Sequence, residues 1–133
     1  MYLLLEDGNK ERNDNMKITN DKSIEINRGD AGTIKLKNKD GNFNIGDTIK
    51  FSILKKGDYK EVVLQKTYEI QEETNTCDLD LSSEDTRIGE IISKPVTYWY
   101  EIEYNGQQTL IGYDDSGAKK FILYPEAPEK EDE

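Results

Sequence analysis

Between residues 23 and 124, apolar side chains recur at every second position in short runs, with Gly, Asp and Asn gathered between the runs. A period of two puts alternate side chains on opposite faces of a pleated strand, so each run predicts a half-buried β-strand. Ser23 to Asn27 places Ile24 and Ile26 on one face, and Thr33 to Lys37 repeats the pattern with Ile34 and Leu36. The intervening Arg28-Gly29-Asp30-Ala31-Gly32 has turn chemistry, so the two strands are expected to form a hairpin or to flank a bulge. After the Lys39-Asp40-Gly41-Asn42 turn and the Gly46-Asp47 pair, Thr48 to Leu54 sets Ile49, Phe51 and Ile53 against Lys50 and Ser52. Gly57-Asp58 predicts the next turn. Glu61 to Ile70 follows, with Val62, Leu64, Tyr68 and Ile70 sharing a face that only Lys66 interrupts.

Thr76 to Leu81 alternates strictly, Cys77, Leu79 and Leu81 against Asp78 and Asp80, so one of its faces is wet. Ser82 to Thr86 predicts a single turn in which a serine hydroxyl accepts from amides two or three residues on. Lys94-Pro95 forces an extended entry into Val96 to Tyr104, where Val96, Tyr98, Tyr100, Ile102 and Tyr104 oppose Thr97, Trp99, Glu101 and Glu103. Asn105-Gly106 supplies both positive-φ positions of a type I′ turn into Gln107 to Tyr113. Asp114-Asp115-Ser116-Gly117 is another turn, and Ala118 to Tyr124 is the last strand, ended by Pro125. About eight short strands without a helical period predict an all-β fold: a single antiparallel β-sandwich, expected to be immunoglobulin-like.

Composition sharpens the boundaries. The chain has 133 residues, one domain of ordinary size, and a net charge of -10. Leu, Ile, Val and Phe make up less than a quarter of it, just above the roughly 20% below which highly charged chains stay disordered. More than half of the excess acid lies at the ends: residues 1–15 carry Glu6, Asp7, Glu11 and Asp14 against Lys10 and Arg12, and residues 126–133 carry five acids and one base. Residues 1–15 are therefore expected to be an extension, 16–125 the β-sandwich domain, and 126–133 a solvated tail.

The chain has no histidine and a single cysteine, Cys77. A zinc site of Cys and His ligands, a Ser-His-Asp or Cys-His arrangement and an intrachain disulfide are all excluded, and no enzyme activity, cofactor or metal is expected. Cys77 is expected to be a reduced core residue. Met1 to Glu6 has a four-residue apolar run without a basic flank, too short for a signal peptide or a membrane span. The expectation is a product folded in a cytosol, with no membrane partner. Its acidic surface disfavours direct contact with nucleic acid.

Three features compete as candidate sites. Arg28-Gly29-Asp30 is a tripeptide that serves as an integrin ligand on exposed loops, but here it is also ordinary turn sequence. Asp78, Asp80, Glu84 and Asp85 lack the ligand spacing of a calcium loop, and alternate Asp residues are what a wet strand face carries. The aromatic set Tyr98, Trp99, Tyr100, Tyr104 and Tyr113 is the candidate partner-binding group. The two faces of its strand cannot both be core unless both are covered, so either Trp99 or the tyrosine face is expected to be partly exposed to a partner.

The order of the motifs resembles a known family. Ile24-x-Ile26-x-Arg28-Gly29-Asp30 is followed by Gly46-Asp47-Thr48-Ile49-x-Phe51-Ser52-Ile53-x-Lys55-Lys56-Gly57-Asp58 and by Asp80-Leu81-Ser82-Ser83-Glu84-Asp85-Thr86. Tyr98-x-Tyr100-Glu101-Ile102 and Phe121-x-Leu123-x-Pro125 complete the series. Over about residues 18 to 126 this succession is similar to the N-terminal β-sandwich domain of upper baseplate proteins from phages and prophages of Gram-positive bacteria.

The resemblance implies a virion structural protein of the tail or baseplate, made in the bacterial host cytoplasm and acting through contacts with other baseplate and tail proteins. A homo-oligomer, trimer or ring, fits that role, and the family has no catalytic residues to transfer. Longer members continue into a helical linker and further domains. This chain departs from that pattern by stopping in its acidic tail, so the expectation is an adaptor or decoration on the particle, or a prophage product with another job. Two other functions remain open at this point. One is a small acidic phage protein that inhibits a host nucleic-acid enzyme in the manner of an anti-CRISPR or DNA mimic; the other is a calcium-dependent carbohydrate-binding module.

Overall fold

The computed structural model describes residues 3–7, 16–56, 61–115 and 117–126 and, among them, contains ten strands and no helix. These are β1 (Leu3–Asp7), β2 (Lys17–Ile18), β3 (Ile24–Asn27), β4 (Gly32–Asn38) and β5 (Thr48–Leu54), then β6 (Val62–Glu69), β7 (Thr76–Leu81), β8 (Val96–Tyr104), β9 (Gln108–Ile111) and β10 (Lys119–Tyr124). They form two sheets. The smaller has the order β1-β4-β7; the larger runs β2-β3-β10-β8-β5-β6, and β9 also pairs with β8. Ile34, Leu36, Leu79 and Leu81 from the small sheet share one buried cluster with Ile24, Ile26, Phe51, Tyr100 and Phe121 from the large one. The two sheets are therefore halves of a single core, as alternating strands require.

All eight expected strands are present, within a residue or two at their ends. The Asn105-Gly106 turn has the predicted geometry: φ is 53° and 66°, and the Gln107 amide donates to the Tyr104 carbonyl at 3.0 Å. Ser82 and Asp85 cap each other, the Asp85 amide donating to Ser82 Oγ at 3.1 Å and the Ser82 amide to Asp85 Oδ2 at 2.8 Å. Asp114 and Gly117 close their turn by a pair of backbone bonds. The Gly57-Asp58 turn lies outside the described residues, as do residues 8–15 and the tail beyond Glu126.

Four features depart from the sequence expectation. First, β3 and β4 do not form a hairpin; the chain changes sheets between them at Arg28 to Ala31. Both strands still turn their isoleucines and leucine to the same core, so their alternation is identical whichever sheet they join. Second, the large sheet is not wholly antiparallel, because β10 runs parallel to β3 with Phe121 opposite Ile24 and Leu123 opposite Ile26. Third, the segment expected as an N-terminal extension contributes β1, which pairs with β4 and places Leu5 opposite Leu36 in the core. Met16 is buried there as well.

Fourth, a register shift between Ile53 and Leu54 sets Ile53 against Leu64 and Leu54 against Val62. The extra residue turns Val62 out to 48% exposure, whereas Val63 and Leu64 pack on the core. Lys66, which interrupts the apolar face of β6, has a structural job: its Nζ donates to the Asp80 carbonyl at 2.8 Å and pairs with Asp85 at 2.7 Å. Tyr68 Oη donates to the same carbonyl at 2.8 Å. Because β6 and β7 end their respective sheets, these bonds tie the two edges together.

Candidate protein-binding face

β8 is paired along both sides, to β5 on one and to β10 and β9 on the other, so it runs through the middle of the large sheet. Its tyrosine face turns to the core. Tyr100 is fully buried, 5.7 Å from the Phe51 ring, and its hydroxyl donates to the Lys22 carbonyl at 2.6 Å. Tyr98 is 9% exposed. Tyr104, half-buried near Phe43, donates to Asp47 Oδ2 at 2.5 Å, which lowers the Asp47 pKa and raises its own.

Tyr100 thus presents no surface to a partner and Tyr98 almost none. Tyr113 is 69% exposed just beyond β9. Trp99 alone of the β8 aromatics points to the opposite side; it is half-buried and stands apart from the core cluster. The five aromatic candidates are therefore not one group.

Register lays out the outer face of the large sheet around Trp99. Leu54 on β5 and Lys120 on β10 lie directly across from it. The next row on one side holds Thr97, Ile122, Glu25 and Lys17 on successive strands; the next on the other side holds Glu101 and Ser52, followed by Glu103 and Lys50. Cross-strand contacts confirm the shared face, since Lys50 Nζ is 3.2 Å from Glu103 Oε1 and Gln65 Nε2 donates to Ser52 Oγ at 3.1 Å. Leu54 is 1% exposed and lies outside the core cluster, so it offers no surface itself, and Trp99 and Ile122 are the partly exposed apolar groups of this face. Glu101 is half-buried among these groups, and burial together with neighbouring Glu103 raises its pKa.

The other sequence candidates have structural roles. Arg28 is 7% exposed, and its guanidinium donates to the Gly89 carbonyl at 3.0 Å and lies 3.6 Å from Glu126. The Gly29 amide donates to Thr86 Oγ1 at 2.9 Å, and that hydroxyl donates to the Asp30 carbonyl at 2.9 Å. A tripeptide held in this way does not offer its arginine to a receptor. Glu126, expected in the free tail, is pinned by Arg87 at 2.9 Å as well as by Arg28.

Asp80 accepts from the Thr33 hydroxyl, Asp85 is taken by Lys66 and Ser82, and no three Cys, Asp or Glu side chains among the described residues gather as metal ligands. Cys77 is buried and unbridged, and burial with Asp78 and Asp80 nearby pushes its thiol up to about 11, which leaves it a poor nucleophile. A cavity of about 430 Å³ opens beside Tyr98, with Val63, Leu64 and Ile88 in its wall and Lys55 and Arg87 at its rim. Its lining joins β6 near the bulge to Glu84 and Asp85 of the 82–86 turn, a juxtaposition that alternation does not reveal.

Compared with models of protein families, with curated proteins and with solved structures, the chain shows no match.

Proposed function

We propose that this chain is a non-enzymatic adaptor of a phage or prophage tail or baseplate, an immunoglobulin-like β-sandwich that works by docking on other virion proteins. The order of sequence motifs supports the family assignment. The immunoglobulin-like reading is supported by two sheets closing on one core and by the crossing from β3 to β4 between them. The observation that carries a docking role is the placement of half-buried Trp99 outside the core, on a sheet face with Ile122 and with charged residues around them. An aromatic anchor inside a polar surround is the usual make-up of an interface hot spot.

A trimer or ring would repeat this face around an axis. A DNA mimic needs an unbroken array of acids, and here Lys50 stands against Glu103 and Lys35 against Asp78, so that reading draws less support. A calcium-dependent carbohydrate module lacks a gathered ligand set among the described residues.

Trp99→Ala tests the proposal. Half-buried and off the main core, Trp99 is expected to contribute less than about 2 kcal/mol to folding. As a hot spot it is expected to contribute at least about 2 kcal/mol to docking, some thirtyfold in affinity. Particles from an induced lysogen carrying the variant should therefore contain little of this chain, while its urea midpoint changes modestly. Wild-type particles that lack the chain would overturn the proposal.

A further inference from the structure

The face around Trp99 holds one group that an apolar partner would leave unsatisfied. Glu101 follows Trp99 by two residues on the same side of β8, which sets the two about 7 Å apart along the strand. Its carboxylate makes no hydrogen bond or ion pair with any described residue; burial and Glu103 raise its pKa, and the attraction of Lys50 offsets them only in part. Lys50, the cation closest in register, is held by Glu103 at 3.2 Å. The Ser52 hydroxyl directly opposite accepts from Gln65. On the β9 side the backbone comes close: a Cβ on Gly112 would lie 3.6 Å from Glu101 Oε2 and 2.8 Å from Thr109 Cγ2. Lys120, Glu25 and Lys17 stand level with Trp99 or in the row beyond it, away from Glu101.

We infer that Trp99 and Glu101 together form a subsite for an arginine side chain of the docking partner. The inference rests on the adaptor reading and deepens it. A partly desolvated carboxylate whose nearest cation is held by another acid is costly, and a second cation brought against it recovers that cost. An indole face beside it attracts the same cation through its ring quadrupole. Arginine meets both demands at once, because its planar guanidinium stacks on an aromatic ring while its fork reaches a carboxylate; a lysine ammonium is a strongly hydrated point charge. Calcium would need six or more oxygens, and one carboxylate does not provide them. The net charge of -10 adds a long-range pull on any cationic partner.

Trp99 is the only tryptophan in the chain, so its fluorescence and its indole N–H resonance report on this subsite alone. The full chain is titrated with acetyl-Gly-Arg-Gly-amide and with the same peptide carrying lysine or citrulline in place of arginine. Saturable change with the arginine peptide is expected, weaker by about fivefold for Glu101→Gln and for the lysine peptide, and absent for citrulline. An equal response from Glu101→Gln, an equal response to lysine, or no saturation with arginine would each overturn the subsite.

Glu101→Gln should fold at least as well as wild type, because it removes a half-buried charge that Lys50 compensates only in part; equal or higher thermal stability at neutral pH is the control. Incorporation into particles separates the two claims. Loss with Trp99→Ala but not with Glu101→Gln keeps the docking face and overturns the arginine subsite, whereas retention in both variants overturns the docking face itself.

Discussion

Tyr100→Ala is expected to destabilise the protein by about 4 kcal/mol, the scale of removing a large buried aromatic side chain. Tyr100 lies at the centre of the large sheet, opposite Ile53 on β5 and Lys119 on β10. Its ring is 5.7 Å from Phe51, which is in turn 6.3 Å from Phe121, so three strands contribute to one aromatic row. Alanine would leave a cavity between two fully paired neighbours, which cannot collapse to fill it without breaking register. Domains of this kind hold only about 5–15 kcal/mol in total, so the variant should stand close to unfolding.

Tyr100→Phe separates the ring from the hydroxyl. The hydroxyl reaches the carbonyl of Lys22, a non-glycine residue at a φ of 67° in the turn before β3, and its loss should cost about 1 kcal/mol. Urea unfolding with unchanged slope is the measurement. If the alanine variant fell within 1 kcal/mol of the phenylalanine one, the tyrosine would not be a core residue.

The same strand shows how far the sequence could be read. Alternation in Val96 to Tyr104 established two faces, and the composition of each face was correct, but the pattern did not say which was covered. That depended on pairing: only with β5 and β10 on either side does the tyrosine face meet Phe51 and Phe121. Turn chemistry at Asn105-Gly106 was legible because φ preferences are local. The sheet change after Asn27 was not, since Ile34 and Leu36 alternate alike in a hairpin or across a sandwich.

β1 is not legible in the sequence, because an edge strand that buries Leu5 needs little pattern and its Leu-Leu-Leu run does not alternate. Trp99 was named as a candidate from its residue type. Residue type does not single out Glu101, because the ion pair of Lys50 with Glu103 that leaves its carboxylate only partly compensated joins strands distant in sequence.

Arg28→Ala is the other substitution with a large expected effect, about 3 kcal/mol, although it lies in a turn where most changes are mild. The guanidinium bridges three segments: its own sheet crossing, the 87–89 segment through the Arg87 and Gly89 carbonyls at 3.4 and 3.0 Å, and Glu126 just beyond β10. Truncation leaves those carbonyls without their donor and removes the packing of a buried stem. Arg28 Nε is itself buried and finds no hydrogen-bond partner among the described residues, so the guanidinium is incompletely satisfied.

Arg28→Met should consequently be milder than Arg28→Ala, as it keeps the stem and removes that unsatisfied atom. Gly29→Ala tests the same knot from the backbone side. At a φ of 88°, its Cβ would lie 2.7 Å from Glu126 Oε2, and a loss of about 1–2 kcal/mol is expected. Acid should loosen the knot too: Arg87 holds the Glu126 carboxyl below its usual range, so the stability it contributes is present at neutral pH and is lost as pH falls through that lowered value. An exposed recognition tripeptide would instead tolerate Arg28→Ala with a change under about 0.5 kcal/mol, and urea melts of the three variants decide between the two.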